Sequence, residues 1–136
     1  MEHTVEIAAP PERVFPFLEA SEQRLRWMGA LVESEPLDEG RFRDVFEDHG
    51  QRIELEAEVE RRDSPRLLVV RLRGRAFEAA STQQLEEVGE GTRLSTVVKT
   101  EYTSRLARLA APLLTRRAQR QLEADLTALK ELVEGD

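Results

Sequence analysis

Between residues 29 and 103, apolar and polar side chains alternate with a period of two. The alternation breaks at Asp38-Glu39-Gly40, His49-Gly50, Asp63-Ser64-Pro65, Gly74-Arg75-Ala76 and Gly89-Glu90-Gly91. Successive side chains of a strand point to opposite faces, and Gly, Pro and Asp suit tight turns, so the pattern predicts strands near 29–36, 41–48, 51–62, 66–74, 77–87 and 92–103. Residues 3–7 add a short first strand, which makes seven.

Hairpin register tests this reading, because it decides which side chains share a face. A two-residue turn at His49-Gly50 pairs Phe46 with Ile53, Asp44 with Leu55 and Phe42 with Ala57. A four-residue turn at 62–65 pairs Val59 with Leu68, Ala57 with Val70 and Leu55 with Leu72; on the other face it sets Glu56 by Arg71 and Glu54 by Arg73. A four-residue turn at 88–91 pairs Leu85 with Leu94, Gln83 with Thr96, Ser81 with Val98 and Phe77 with Tyr102, with Glu86 opposite Arg93 outside. Apolar partners gather on one face and opposite charges on the other, which describes an antiparallel meander with one wet face.

The period changes at both ends of the chain. Pro10-Pro11 closes the first strand and opens a helix at about 11–19, whose apolar face is Val14, Phe17 and Leu18. Ser21 reads as the N-cap of a second short helix, 22–28. Residues 104–133 are helical, capped by Thr103 or Ser104, with Ala110, Leu114, Ala118, Leu122, Leu126, Leu129 and Val133 as an apolar stripe. Pro112 either kinks this helix or begins it after a separate turn over 105–111. The fold class is α+β: a seven-stranded antiparallel sheet, two short helices after strand 1 and one long C-terminal helix.

A chain of 136 residues, 40% hydrophobic and 35% charged, suits one folded domain spanning 1–136. A net charge of −7 argues against nucleic acid as partner, since such binders displace counterions with a basic surface. Cysteine is absent, which removes disulfides and thiol chemistry. No apolar run reaches the roughly 20 residues of a membrane-spanning helix, and Met1-Glu2-His3-Thr4 has no signal-peptide character, so the expected location is cytoplasmic. The only histidines, His3 and His49, offer no metal constellation, and His49 reads as a turn residue with left-handed backbone. Gly89-Glu90-Gly91 is a hairpin turn with no helix after it, so no cofactor fingerprint is present. Both a monomer and a homodimer are compatible with the chain.

The strings Val5-Glu6-Ile7-Ala8-Ala9-Pro10-Pro11-Glu12-Arg13-Val14-Phe15, Trp27 at the end of the second helix, Gly91-Thr92-Arg93-Leu94 opening the last strand, and Asp125-Leu126-Thr127-Ala128-Leu129-Lys130 occur in an order that resembles the START/Bet v 1-like (SRPBCC) superfamily of polyketide cyclase/dehydrase and lipid-transport type. The resemblance covers essentially the whole chain. It departs at Asp38-Glu39-Gly40-Arg41, where relatives often carry a longer Gly-rich connection. It implies the helix-grip fold, in which the sheet curves around the long helix and leaves an interior cavity. It also implies binding or transport of a small hydrophobic molecule such as a lipid, isoprenoid or polyketide. Two other functions fit the superfamily: a cyclase/dehydratase-type enzyme and a protein-interaction module.

The polar residues assigned to the concave face are the candidate chemistry. Asp44, between Phe42 and Phe46, is a possible general acid or base if buried and an ordinary strand-end carboxylate if solvated; Tyr102 is the second catalytic candidate. Ser81, Gln83, Thr96 and Tyr102 would orient a ligand among the apolar walls Trp27, Phe42, Phe46, Leu55 and Phe77. Leu109, Leu113 and Arg117 are expected to close the cavity from the last helix, with Arg117 able to pair with Asp44 or with a ligand carboxylate if it points inward. Arg105, Arg108, Arg116, Arg117 and Arg120 form either a solvated face or a surface for anionic lipid or a protein partner.

Overall fold

A computed structural model describes residues 1–135, so the last residue of the expected 1–136 domain, Asp136, lies outside the described residues. The elements are β1 (Glu2–Ile7), α1 (Pro11–Glu19), α2 (Ser21–Trp27), β2 (Leu31–Pro36), β3 (Arg41–Asp48), β4 (Gln51–Asp63), β5 (Leu67–Arg73), β6 (Phe77–Val88), β7 (Gly91–Tyr102) and α3 (Arg105–Gly135). The strands form a seven-stranded sheet in the order β1-β7-β6-β5-β4-β3-β2, antiparallel throughout. Consecutive strands are hairpin neighbours except β1, which crosses to pair with β7.

His49 (φ 50°) and Gly50 (φ 80°) are both left-handed, the geometry of a two-residue hairpin turn, and the predicted β3–β4 register follows from it. The β6–β7 register is also as predicted, from Phe77 opposite Tyr102 to Leu85 opposite Leu94. The β4–β5 register is not. Ala57 pairs with Leu72 and Val59 with Val70, a slip of two residues, because β4 runs on to Asp63 and a bulge between Val59 and Arg61 absorbs one residue. Up to the bulge the slip is even and keeps every side chain on its face. Past it Arg62 pairs with Leu68, an odd shift that turns Arg62 to the concave side, where its guanidinium lies 5.4 Å from the Phe15 ring centroid. The outer-face pairs change: Glu56 lies opposite Arg73 and Glu58 opposite Arg71, and the charges bond as Arg43–Glu54, Arg71–Glu60 and Arg73–Glu58.

Pro11 opens α1 as expected, and Val14, Phe15, Phe17 and Leu18 are buried. Ser21 is not a cap. Ala20 holds the N-cap position of α2 and Ser21 is its first helical residue, its Oγ hydrogen-bonded to Ser34 Oγ at 2.9 Å. Ser104 does cap α3, accepting from Ala107 N at 3.1 Å. α3 is continuous through Pro112, so no separate turn precedes it.

The core lies at one end of the sheet. Ile7, Val14, Phe15, Leu18, Leu85 and Leu94 meet Leu126, Leu129 and Val133 from the second half of α3, all nearly inaccessible to solvent. The same half of α3 guards the edge strand β1. Gln119 Nε2 and Lys130 Nζ donate to the Glu2 and Glu6 carbonyls at 2.9 and 2.7 Å, and Glu134 accepts from Ala8 N at 2.9 Å. Occupied backbone groups cannot template another strand. No described helix is long and apolar enough to cross a membrane.

Candidate functional site

The β6–β7 register is a ruler running from the core outward. Leu85 and Leu94 are core; next on the same face come Gln83 with Thr96, Ser81 with Val98, Ala79 with Thr100, and last Phe77 with Tyr102. All of these beyond the leucines border a cavity of about 1160 Å³ under the first half of α3. At a rise of ~3.3 Å per residue, the floor at Gln83/Thr96 lies about 20 Å from the rim at Phe77/Tyr102. Leu55 and Leu72 contribute apolar wall from the sheet, Trp27 and Met28 from the end of α2, and Ala107, Leu114, Ala118 and Leu122 from α3. Trp27 is buried and anchored, its indole N–H donating to the Phe17 carbonyl at 2.8 Å. At the rim the Phe77 and Tyr102 rings meet at 6.2 Å between centroids, tilted by 59°.

Three polar groups stand at the floor. Gln83 Oε1 and Thr96 Oγ1 are buried with no hydrogen-bond partner among the described residues. They occupy facing positions, where Cβ atoms lie roughly 5 Å apart. Asp125, which the sequence reading did not single out, is the third. Its Oδ1 accepts from Gly29 N at 2.9 Å and Gln121 Nε2 at 2.7 Å. Burial pushes its pKa up, and the hydrogen bonds from Gly29 and Gln121 pull against that. The available signal was spacing: Asp125 lies three residues after Leu122, on the inward side of the helix.

Trp27, Phe46, Leu55, Phe77, Ser81, Gln83, Thr96 and Tyr102 border the cavity as the sequence suggested. Four other expected residues do not. Leu109 and Leu113 are 80% and 61% exposed, on the outward side of α3, and Leu114 and Ala118 wall the cavity in their place. Arg117 pairs with Asp48 at 3.2 Å, not with Asp44. Phe42 lies under α2 with the Arg24 guanidinium 6.0 Å from its ring centroid, away from the cavity.

Asp44 is fully buried, not solvated, yet it does not border the cavity. α2 covers it. Arg24 reaches it from the helix at 2.5 Å, and Ser34 Oγ donates to it at 2.7 Å. The carboxylate serves to fix α2 to the sheet: a buried charge has to be paired and hydrogen-bonded, and this one is both. Among the described residues no three His, Asp or Glu side chains gather as metal ligands.

A sheet curved around a long terminal helix, with a cavity between them, defines an α+β helix-grip protein of the SRPBCC/START-like kind. The family model described as "Polyketide cyclase / dehydrase and lipid transport" matches residues 1–134, and the chain belongs to that family. The chain is similar to a START superfamily protein from Mycobacterium smegmatis, with TM-score 0.86 and 20% identity, covering 99% of this chain and 97% of that one. It is similar also to a protein from Thermus thermophilus, TTHA0849, with TM-score 0.84 and 24% identity, covering 98% and 95%. A conserved protein from Geobacillus kaustophilus gives TM-score 0.82 at 15% identity, covering 97% and 93%. No curated protein matches the chain. At these identities the likeness is one of fold, and fold does not settle function.

Proposed function

We propose that the chain binds or carries a small, mostly apolar molecule of lipid, isoprenoid or polyketide-like character, with a hydroxyl at the end that enters first. The observation that carries this reading is a pair of buried, unpartnered oxygens on Gln83 and Thr96, two residues at the floor of a mostly apolar cavity. An isolated buried acceptor is costly, and a ligand hydroxyl would relieve both: its hydrogen bonds to Gln83 Oε1 while its oxygen accepts from the Thr96 hydroxyl. The apolar walls above would take the ligand's hydrocarbon body.

The test is native mass spectrometry of gently purified protein, followed by thermal-shift titration with fatty alcohols, isoprenols, flat hydroxylated aromatics and their hydroxyl-free analogues. The expected result is binding of a hydroxylated member, weakened about tenfold in Gln83→Leu/Thr96→Val while the hydroxyl-free analogue binds unchanged. The same double variant, free of ligand, is about 1–3 kcal/mol more stable than the wild type because two unsatisfied groups are gone. Failure of every class to bind overturns the reading.

One observation favours a second reading, a cyclase/dehydratase-type enzyme. Asp125 is a buried carboxylate at the cavity wall with a raised pKa, the condition for a general acid. On this reading Asp125→Asn abolishes turnover of a polyketide substrate while binding persists. Undiminished turnover in that variant dismisses Asp125 as the acid.

A further inference from the structure

The outward side of the first half of α3 is built unlike the rest of the surface. Leu106, Leu109 and Leu113 recur at helical spacing on one stripe and are 81%, 80% and 61% exposed. Arg105, Arg116 and Arg120 are exposed in the same helix half and form no ion pair with any described residue. Between Glu101 and Glu123 there is no acidic residue but five arginines, in a chain whose net charge is −7. On the sheet, by contrast, Arg43, Arg52, Arg71 and Arg93 are all matched by glutamates.

We propose that this face docks the protein on an anionic lipid surface, the three leucines entering the headgroup boundary and the unpaired arginines meeting lipid phosphates. Exposed leucines bordered by arginines are what an interfacial helix presents. Arginine stems lie along apolar surface while their heads stay in the polar layer. A second copy docked through this same face is the wrong occupant, because it would set the unpaired Arg105, Arg116 and Arg120 against their own copies. The stripe backs directly onto the cavity wall, since Ala107 and Leu114 line the cavity from the opposite side of the same helix. Docking needs no bound cargo, so it stands or falls separately from the ligand reading.

The test is co-sedimentation of the full chain with phosphatidylcholine vesicles, with and without about one-third phosphatidylglycerol, from low salt to about 0.5 M. The expected result is binding to the anionic vesicles alone, released by salt. It weakens at least about tenfold in Leu109→Asn/Leu113→Asn and in Arg116→Gln/Arg120→Gln, with unchanged circular dichroism and unfolding midpoint. These variants keep whatever small molecule the wild type retains in native mass spectrometry. Absence of vesicle binding at low salt, equal binding to neutral vesicles, or wild-type binding by both variants overturns the proposal. So does retention on an acidic polypeptide such as polyglutamate without any vesicle binding, which would make the face a protein-docking one.

Discussion

Asp44 and Asp125 are buried carboxylates put to different uses by their surroundings. Asp44 meets a guanidinium and a hydroxyl, and Asp125 meets only a backbone N–H and an amide. Asp44→Ala leaves Arg24, 12% exposed, without its counter-ion, and we expect a loss of about 3 kcal/mol in urea unfolding. Asp125 predicts a pH dependence. Its pKa is raised in the folded protein, so between the ordinary aspartate value of about 3.9 and the raised value the folded state holds the extra proton. Stability therefore falls as pH rises through that window, and the loss is complete above it. Asp125→Asn keeps an oxygen for Gly29 N and Gln121 and removes the charge. Its stability should be flatter than wild type across that window, with a higher unfolding midpoint at neutral pH. Alternation placed Asp44 on the concave face correctly, but no local pattern shows that α2 lies over that stretch of sheet. The partner that decides its role, Arg24, comes from a different element 20 residues away.

Among elements, the strands and the long apolar stripe of the last helix were legible, and the error lay in assigning Leu109 and Leu113, which are off that stripe, to the cavity. Parity survives an even slip, so the β4–β5 face assignment held from Glu56 to Val59 although the pairs differ by two residues; past the bulge the shift is odd and Arg62 changes face. Over 105–114 both sides of α3 are apolar, with Leu106, Leu109 and Leu113 on one and Ala107, Ala110 and Leu114 on the other. Within those ten residues periodicity finds both stripes; only the one that continues through Leu122 to Leu126, Leu129 and Val133 meets the sheet, so Leu109 and Leu113 face outward. Gly91 shows another long-range cause. A Cβ there would stand 2.7 Å from the Ile7 carbonyl oxygen, backbone that cannot yield cheaply. Gly91→Ala should force β1 away from β7 and lower stability by about 1–3 kcal/mol, measured by denaturant unfolding. Gly89, in the same turn, has open space around it but φ +63°, so alanine there meets backbone strain instead of a clash.

The whole molecule divides into a packed end and a hollow end, and α3 belongs to both. Its second half is locked by the core and by its bonds to β1, whereas its first half covers empty space and is interrupted by Pro112, which removes one helical hydrogen bond. Native-state hydrogen exchange should therefore show amides of 105–118 opening before those of 122–133. Equal protection along the helix would contradict this division. The cavity was implied by the family resemblance and not by the hydrophobic pattern, because a void is set by how far two surfaces stand apart, and the pattern reports only which surfaces they are.

The Arg24–Asp44–Ser34 cluster has a consequence for how anything gets in. It fixes α2, and with it the Trp27 part of the cavity wall, to the sheet by a charge that cannot be released without exposing its counter-ion, and Trp27 on the same short helix is bolted to Phe17. Any widening of the cavity has to come from the facing wall, where the first half of α3, one hydrogen bond short at Pro112, spans open space.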